Sequence, residues 1–182
     1  MMTVFFTSDT HFGHQGIISH ADRPFEKVAR MDNEMVKRWN ETVGPRDVVY
    51  HLGDFGWNQK PADFLQLVDL LHGEKHLILG NHDPDFVRNL AGSAAYGFRS
   101  VHERLELRLD GERIVLDHYP MRSWNGSFHG SFQLYGHCHN TMPPIHRSLD
   151  VGVDAWDFRP VTFTQIRQRL DKLGLLNREK AA

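Results

Sequence analysis

Residues 3–11, TVFFTSDTH, join a short apolar run to Asp9 and His11. This pattern, in which a strand-like run is followed at once by a carboxylate, amide or imidazole, recurs four times along the chain. The later instances are Asp54 after residues 47–52, Asn81 with His82 after 75–79, His118 after 113–116, and His137 with His139 after 132–135. Ligands and catalytic groups collect where strands of an α/β sheet reach their carboxyl ends. We therefore expect these side chains to converge, although they lie far apart in sequence.

The segments between the first three predicted strands carry helical patterns. Apolar residues recur every three to four positions in two segments, which end near Gly44-Pro45 and Gly73. These residues are Met31, Met35, Trp39 and Val43 in the first segment, and Phe64, Leu67, Val68 and Leu71 in the second. Residues 12–27 show weak periodicity, which predicts a loop with at most a short helix. The resulting β-α-β-α-β order favours a parallel sheet covered by helices.

The second half of the chain has a different pattern. Residues 105–109 alternate leucine with charged side chains, and Asp110-Gly111 then predicts a two-residue hairpin turn into residues 113–116. Further short strands are predicted at 132–135, 149–153 and 161–162, before a helix that carries Ile166, Leu170 and Leu173. We predict an α/β fold in which a mostly parallel first sheet packs face to face on an antiparallel second sheet. Helices are expected on both outer faces, in a four-layer αββα sandwich.

Length and composition limit the class of protein. A chain of 182 residues with 40% hydrophobic and 24% charged residues predicts one globular domain over residues 1–182. Its formal net charge of −2 gives no general attraction to long nucleic acid. The single cysteine, Cys138, cannot form an internal disulfide, and neither a secretion signal nor a membrane span is recognisable. We expect a cytoplasmic protein without a membrane partner; the sequence does not predict its oligomeric state.

The strand-end residues have the chemistry of a metal centre. Six of the 13 histidines lie in these motifs: His11, His14, His82, His118, His137 and His139. Mixed carboxylate, amide and imidazole ligands indicate a site for two divalent cations. Gly53, Gly80 and Gly136 directly precede three of the motifs and permit a close approach of the ligand-bearing loops. The alternative, helix-capping acids and packed histidines, leaves the repeated strand-end position unexplained.

Taken together, these motifs resemble the calcineurin-like metallophosphoesterase superfamily, in particular its small bacterial and phage-type members. The resemblance extends from about Val4 to Asp154 and Pro160. It implies two mixed sheets between helical layers, and a hydroxide generated at the metals as the nucleophile. It also implies that Asp54 bridges two metals and that His82 protonates the leaving oxygen. The other implied ligands are Asp9, His11 and His139 for the first metal, and Asn81, His118 and His137 for the second.

One position departs from the phosphoprotein phosphatase branch of that family. The branch has a second acid three residues after the bridging one, where it orients the catalytic histidine, and this chain has Trp57 there. Asp83, Asp117 and a backbone carbonyl remain alternatives for orienting His82. Because Pro84 follows Asp83, a helix N-cap is the favoured role for Asp83. The missing acid argues against a protein phosphatase.

The predicted function is that of a metal-dependent phosphodiesterase acting on a nucleotide-like or other small phosphate ester. A phosphomonoesterase, a nuclease and a catalytically silent metal-binding scaffold are the alternatives. Mn²⁺ is the favoured metal, with Fe, Zn²⁺, Co²⁺, Ni²⁺ and Mg²⁺ as alternatives. His14, Arg23 and Arg122 are candidate substrate contacts because they lie close in sequence to ligand motifs. Residues 12–27 and 124–130 are the loops expected to determine specificity.

Overall fold

The computed structural model describes residues 2–90 and 92–176, and over them the predicted α/β architecture of two mixed sheets is confirmed. Nine strands lie within these residues: β1 Val4–Thr7, β2 Val48–His51, β3 Glu74–Ile78, β4 Ser100–His102, β5 Arg104–Leu109, β6 Glu112–Asp117, β7 Phe132–Tyr135, β8 Ser148–Asp150 and β9 Val161–Thr162. The single-domain prediction for 1–182 also covers Met1, Ala91 and residues 177–182, which lie outside the described ranges. It stays a prediction.

Five α-helices lie within the described residues: α1 Gln15–His20, α2 Val28–Thr42, α3 Pro61–Leu70, α4 Asp85–Arg88 and α5 Phe163–Lys172. The predicted helical faces are buried, with Met31, Met35 and Trp39 inside α2. Leu173 is an exception, since α5 ends at Lys172 and the Leu173 side chain is exposed. None of the helices in these ranges is long and apolar enough to span a membrane.

The first sheet has the strand order β4-β3-β2-β1-β9. Strands β1 to β4 are parallel to their neighbours, as the β-α-β-α-β pattern predicts, whereas β9 is antiparallel to β1. One hydrophobic core lies on the side of this sheet covered by α1 to α4, with Val49 and Leu77 contributed by the strands. A second core lies between the two sheets and includes Ile166 and Leu170 of α5.

The second sheet has the order β5-β6-β7-β8, and its strand directions differ from the prediction. Only the β5–β6 hairpin is antiparallel, and Leu109 pairs with Glu112 across the predicted turn. Strands β6, β7 and β8 are parallel, so the expectation of an antiparallel second sheet is wrong. Residues 118–131 and 136–147 are crossover connections, which return the chain to the same end of the sheet. Strands β1, β2, β3, β6 and β7 consequently bring their following loops together.

Candidate metal centre

Two groups of metal-binding side chains meet beyond the carboxyl ends of these strands. We call Asp9, His11 and His139 the enclosed trio, and Asp54, His118 and His137 the open trio. Within each trio the potential ligand atoms lie within 4.8 Å of one another. The residues come from both sheets, so the sheet-on-sheet packing itself assembles the centre.

Asp54 connects the two trios. Its Oδ2 atom lies 3.5 Å from Nε2 of His11 and 3.5 Å from Nε2 of His118, one imidazole of each trio. Its Oδ1 atom accepts a hydrogen bond of 2.8 Å from the His82 backbone N–H. The Asp54 carboxylate is buried, so bulk water competes little for the Oδ2 atom that lies between the two imidazoles.

Three imidazoles are oriented by contacts at Nδ1. His118 Nδ1 lies 2.7 Å from the Leu52 carbonyl oxygen, and His139 Nδ1 lies 2.7 Å from Oδ2 of Asp154. In both rings Nδ1–H is therefore the donor and Nε2 carries the lone pair directed at the centre. His11 Nδ1 lies 3.3 Å from Nδ1 of His14, while its Nε2 is buried without a hydrogen-bond partner among the described residues. Such an orphaned, inward-directed nitrogen fits a bound cation.

Asn81 belongs to the open trio's side of the centre. Its Oδ1 atom lies 3.1 Å from Nε2 of His118, and the residue is exposed. The Tyr119 hydroxyl donates to the same oxygen over 3.4 Å. Together with exposed His137, Asn81 forms the solvent-facing edge of the open trio.

The backbone at this centre is strained in a way that the sequence does not reveal. Five candidate ligands have left-handed φ angles: Asp9 (57°), His11 (50°), Asp54 (56°), His137 (67°) and His139 (45°). This conformation costs a non-glycine residue on the order of 1–2 kcal/mol and is concentrated at functional sites. The packed loops around the ligands hold them in it.

The glycines before the motifs allow the loops to approach, as predicted. A Cβ atom at Gly80 would collide with the Asp54 carboxylate, and one at Gly136 would collide with the side chains of Ser8 and Asp9. At Gly53, where φ is +94°, a Cβ would lie 2.5 Å from the Gly80 nitrogen. Larger residues at these positions would push the ligand loops apart.

Asp83 has a different role from the favoured helix cap. Its buried carboxylate accepts hydrogen bonds from the backbone N–H groups of Gly80 (2.7 Å), Asp54 (3.0 Å) and Phe55 (2.9 Å). The N-cap of α4 is Pro84 and has no side-chain capping bond, so the N-cap prediction for Asp83 is wrong. Asp83 instead ties the loop after β2 to the loop after β3. Sequence alone did not indicate this, because the three donors are backbone groups.

The electrostatics of the centre favour bound cations. Burial raises the pKa of Asp9 to about 7 and lowers the pKa of His11 to about 2. Burial also acts against the charged form of Asp54, but the hydrogen bond and charge of His118 hold the Asp54 pKa well below its usual range. For His118, the same partnership outweighs burial and raises the pKa to about 9. Buried carboxylates call for cations as counter-charges, the neutral His11 imidazole can act as a ligand, and a bound divalent ion would displace the proton of His118.

A cavity of about 380 Å³ opens onto the centre. It is lined by His11, His14, Gly16, Ile17, His20, Asp54, His82, His137 and His139. The predicted catalytic residue, His82, is exposed at this cavity. Two larger concavities, one along α5 and one beside residues 121–125, contain none of these side chains.

The three candidate substrate contacts are placed differently. His14 lines the cavity. Arg23 is buried: its guanidinium pairs with Asp154 at 2.8 Å and donates to the backbone oxygens of Asp9 and Thr10. The substrate-contact prediction for Arg23 is contradicted by this geometry, since no donor faces the cavity. Arg122 is exposed in the concavity beside residues 121–125, away from the cavity lining.

The residues that support the candidate ligands were not predicted from the sequence. Asp154 holds His139, and Asp150 accepts hydrogen bonds from the backbone N–H groups of Asn140 and Gly152. Both acids follow or end a strand-like run, so the pattern that identified the other motifs also applied to residues 149–154. Tyr119 and Trp57 contact the centre through their rings, which no sequence pattern indicated.

Comparisons with known proteins agree with this geometry. The calcineurin-like phosphoesterase superfamily domain matches residues 2–149. An uncharacterized protein of Methanocaldococcus jannaschii is 31% identical, over 94% of this chain and 93% of its own length. The gene 66 protein of Mycobacterium phage D29 is 33% identical, over 86% of this chain and 90% of its own length.

A solved structure has the same fold. The protein of unknown function AQ665 from Aquifex aeolicus superposes with a TM-score of 0.70 at 23% identity, covering 95% of this chain and all of that one. At this identity the likeness shows the fold. The family match over most of the chain carries the assignment: this protein belongs to the calcineurin-like phosphoesterase superfamily.

Proposed function

We propose that the protein is a dinuclear-metal phosphoesterase that hydrolyses a small phosphodiester, with a nucleotide-like ester as the favoured class. The position of the Asp54 carboxylate carries the proposal, because Oδ2 is equidistant from a histidine nitrogen of each trio. A carboxylate shared in this way suits a two-ion site. Asp9, His11 and His139 would hold one ion; Asn81, His118 and His137 would hold the other, with Asp54 common to both.

When bound, the two ions would supply Lewis acidity and an activated water for phosphoester hydrolysis. The chain's own residues bind and orient around them. His82, exposed at the cavity, donates a proton to the leaving oxygen. The buried acids Asp83 and Asp154 hold the ligand loops and the His139 ring in place.

The diester preference is supported by the charge of the cavity. Its nine lining residues include no lysine or arginine. A monoester dianion gains more from additional cations than a diester monoanion does. The guanidinium charge of Arg23, one of the predicted substrate contacts, is neutralised by Asp154 at 2.8 Å. A phosphomonoesterase is therefore the second candidate.

We also propose a metal, a partner and a location for the protein. Mn²⁺ is favoured because oxygen and imidazole ligands suit it, although Fe, Zn²⁺, Co²⁺, Ni²⁺ and Mg²⁺ are accommodated by related donor sets. A small phosphate ester rather than long nucleic acid is the proposed partner, since the net charge is −2 and no lysine or arginine lines the cavity. A nuclease and a silent scaffold are less favoured, and a cytoplasmic location is retained as a proposal.

The test compares two substrates on the Mn²⁺-loaded protein. We expect kcat/KM for bis-p-nitrophenyl phosphate to exceed that for p-nitrophenyl phosphate. Asp54→Ala, in the same metal-containing buffer, is the control for contaminating phosphatases. A monoester preference of tenfold or more would replace the diesterase by the monoesterase. Hydrolysis of neither ester, nor of a panel of alkyl and cyclic diesters, would favour the silent scaffold.

A further inference from the structure

We propose that Trp57 is a positioning residue, whose indole fixes the rings of His14 and His82 at the mouth of the metal centre. This inference rests on the proposed function, in which His82 is the proton donor. It assigns to the aromatic side chain the orienting task for which the sequence offers no acid at this position.

The rings are arranged as a stack with a perpendicular neighbour. The indole of Trp57 lies face to face with the His14 imidazole, with 4.2 Å between ring centroids and 8° between planes. The His82 ring meets the indole at 4.8 Å and 61°. Both geometries are favoured arrangements of aromatic rings. One indole thus limits the rotation of two imidazoles that line the cavity.

The backbone of Trp57 is held by the loop that carries His11. The Trp57 backbone N–H donates to the Phe12 carbonyl oxygen at 2.9 Å, and Gly56 forms a β-bridge with Phe12. Phe12 is buried and directly follows the ligand His11. The position of Trp57 is therefore coupled to the loop of the enclosed trio, although the indole reaches the solvent-facing side of the centre.

His82 has no acid to orient it. The Asp83 carboxylate is occupied by three backbone N–H groups, and the Asp117 carboxylate accepts from Arg104 and from the Tyr119 backbone N–H. Within residues 2–90 and 92–176, no hydrogen bond reaches the His82 ring. Ring packing remains to define its direction, and the indole of Trp57 at 4.8 Å is closer to the His82 ring than the imidazoles of His11 at 5.4 Å and His14 at 6.3 Å. A displacement of about 1 Å in a catalytic group can reduce a rate by roughly 100-fold.

His14 benefits from the same platform. Because His11 directs Nε2 at the centre, its Nδ1–H donates to His14 Nδ1, 3.3 Å away. His14 then carries its proton on Nε2, beside Gly16 in the cavity wall. The stack on Trp57 limits the rotation of the His14 ring in the cavity wall.

The first experiment compares Trp57→Leu with Trp57→Phe in the metal-loaded protein. On a diester with a poor leaving group, we expect Trp57→Leu to lower kcat about tenfold and Trp57→Phe to recover most of the loss. Both variants should retain the metal content of the unmodified chain. Leu173→Ala, which shortens a side chain that is 51% exposed just after α5 and outside the cavity lining, is the control and should leave kcat unchanged.

A double-mutant cycle then asks whether Trp57 acts through His82. In the His82→Ala background, the effect of Trp57→Leu on kcat should shrink from about tenfold to the smaller part that acts through His14, because the His82 ring to be positioned is gone. An equal loss in both backgrounds, or a Trp57→Phe variant as impaired as Trp57→Leu, would overturn the proposal.

Histidine NMR separates this inference from the proposed function. In Zn²⁺-loaded protein with labelled histidine, the His14 ring protons should show an upfield ring-current shift that Trp57→Leu abolishes; His14→Gln provides the assignment. Unchanged His14 and His82 signals in Trp57→Leu would refute the positioning role even in an active enzyme. If the shift disappears as expected but the unmodified protein hydrolyses no phosphate ester, the ring geometry stands and the proposed function fails.

Discussion

The two trios of the metal centre differ in how they are supported. In the enclosed trio, Asp9 and His11 are buried and the His139 side chain is 13% exposed. In the open trio, His137 is exposed, as is the neighbouring ligand candidate Asn81. Asp154, paired with Arg23, backs His139, whereas His118 is backed by a neutral carbonyl of Leu52. The enclosed trio is therefore the better shielded group of candidate ligands, and the open trio is the more accessible one.

This difference suggests that the two trios have different roles. Carboxylate support raises the basicity of a ligand histidine and typically changes metal affinity by about 10- to 100-fold. The enclosed trio should thus bind its ion more tightly, while the open trio meets substrate and solvent.

The largest effect is expected from removing the residue common to both trios. Asp54→Ala should lose both ions and lower kcat/KM by on the order of 1000-fold, because metal catalysis contributes several kcal/mol. Asp9→Ala, the matched control in the enclosed trio, should lose mainly one of the two equivalents of bound metal. The measurement is elemental analysis after gel filtration, alongside diester kinetics. Two full equivalents of metal in Asp54→Ala would contradict the assignment of Asp54 as a shared ligand.

Next in size is the effect of His82, at the accessible edge of the centre. His82→Ala should retain its metals and lose about 100-fold in kcat on an alkyl diester, since general acid catalysis contributes roughly 10²–10⁴. A nitrophenyl ester should lose much less, because nitrophenolate leaves without protonation. Equal losses on both esters, or a loss of metal, would remove His82 from the role of proton donor.

Asp154→Asn tests the support of the enclosed trio. The amide keeps the size of the side chain but removes the negative charge beside His139, so the tighter of two Mn²⁺ affinities should fall about tenfold. Asp117→Asn is the control, because Asp117 also pairs with an arginine, Arg104, but contacts no ligand imidazole. Calorimetric titration of metal-free protein measures both affinities. If both variants weaken the same ion equally, the asymmetry between the trios is not due to Asp154.

Adding Arg23→Gln to Asp154→Asn controls for folding. Arg23 is buried, and the single Asp154→Asn variant leaves its charge without a carboxylate partner. Loss of a buried partner can cost several kcal/mol of stability. The double variant removes that uncompensated charge, so it should melt at a higher temperature than the single variant yet show the same reduced affinity. Recovery of the affinity in the double variant would assign the effect to folding.

The strand-end motifs were predictable because each depends on local sequence. A strand-like apolar run and its carboxyl end are visible in residues such as 3–11 and 75–82. The collision at a Gly80 Cβ explains a glycine that the sequence already marked. Parallel pairing of β6, β7 and β8 was not predictable, because the alternating hairpin pattern says nothing about later crossovers.

Residues that support the ligands were harder to predict than the ligands. Asp83 binds backbone groups from two loops, and Trp57 acts through ring contacts with His14 and His82. Neither interaction requires a particular residue type at a fixed sequence spacing. The left-handed backbone at Asp9 and Asp54 likewise follows from loop packing and not from residue preference. Local patterns therefore located the site, while its supporting structure depended on the tertiary fold.

The smallest predicted effect concerns Asp32, which contacts the loop that carries His11. Asp32 on α2 accepts a hydrogen bond from the Gly13 backbone N–H at 3.0 Å, in the loop that carries His11. Burial raises the pKa of Asp32 to about 6, although the Gly13 bond and Arg23 act against that shift. A raised carboxyl pKa means that the folded state binds more protons than the unfolded state between about pH 4 and 6. The Asp32 contribution to stability consequently falls as the pH rises through this window and is constant above it.

Asp32→Asn should remove this pH dependence while keeping an oxygen for Gly13. Relative to the unmodified chain, the variant's free energy of unfolding should therefore rise between pH 4 and 7, by about 1 kcal/mol after allowing for partial solvent screening. Urea titrations of metal-free protein at both pH values measure this difference. Asp47→Asn is the opposite-sign control, because hydrogen bonds from Thr3 and Gly44 lower the Asp47 pKa and stabilise the fold above pH 4. The opposite result would be a loss of stability in Asp32→Asn relative to the unmodified chain as the pH rises. That result would mean that the ionised Asp32 carboxylate stabilises the loop that carries His11, contrary to the raised pKa.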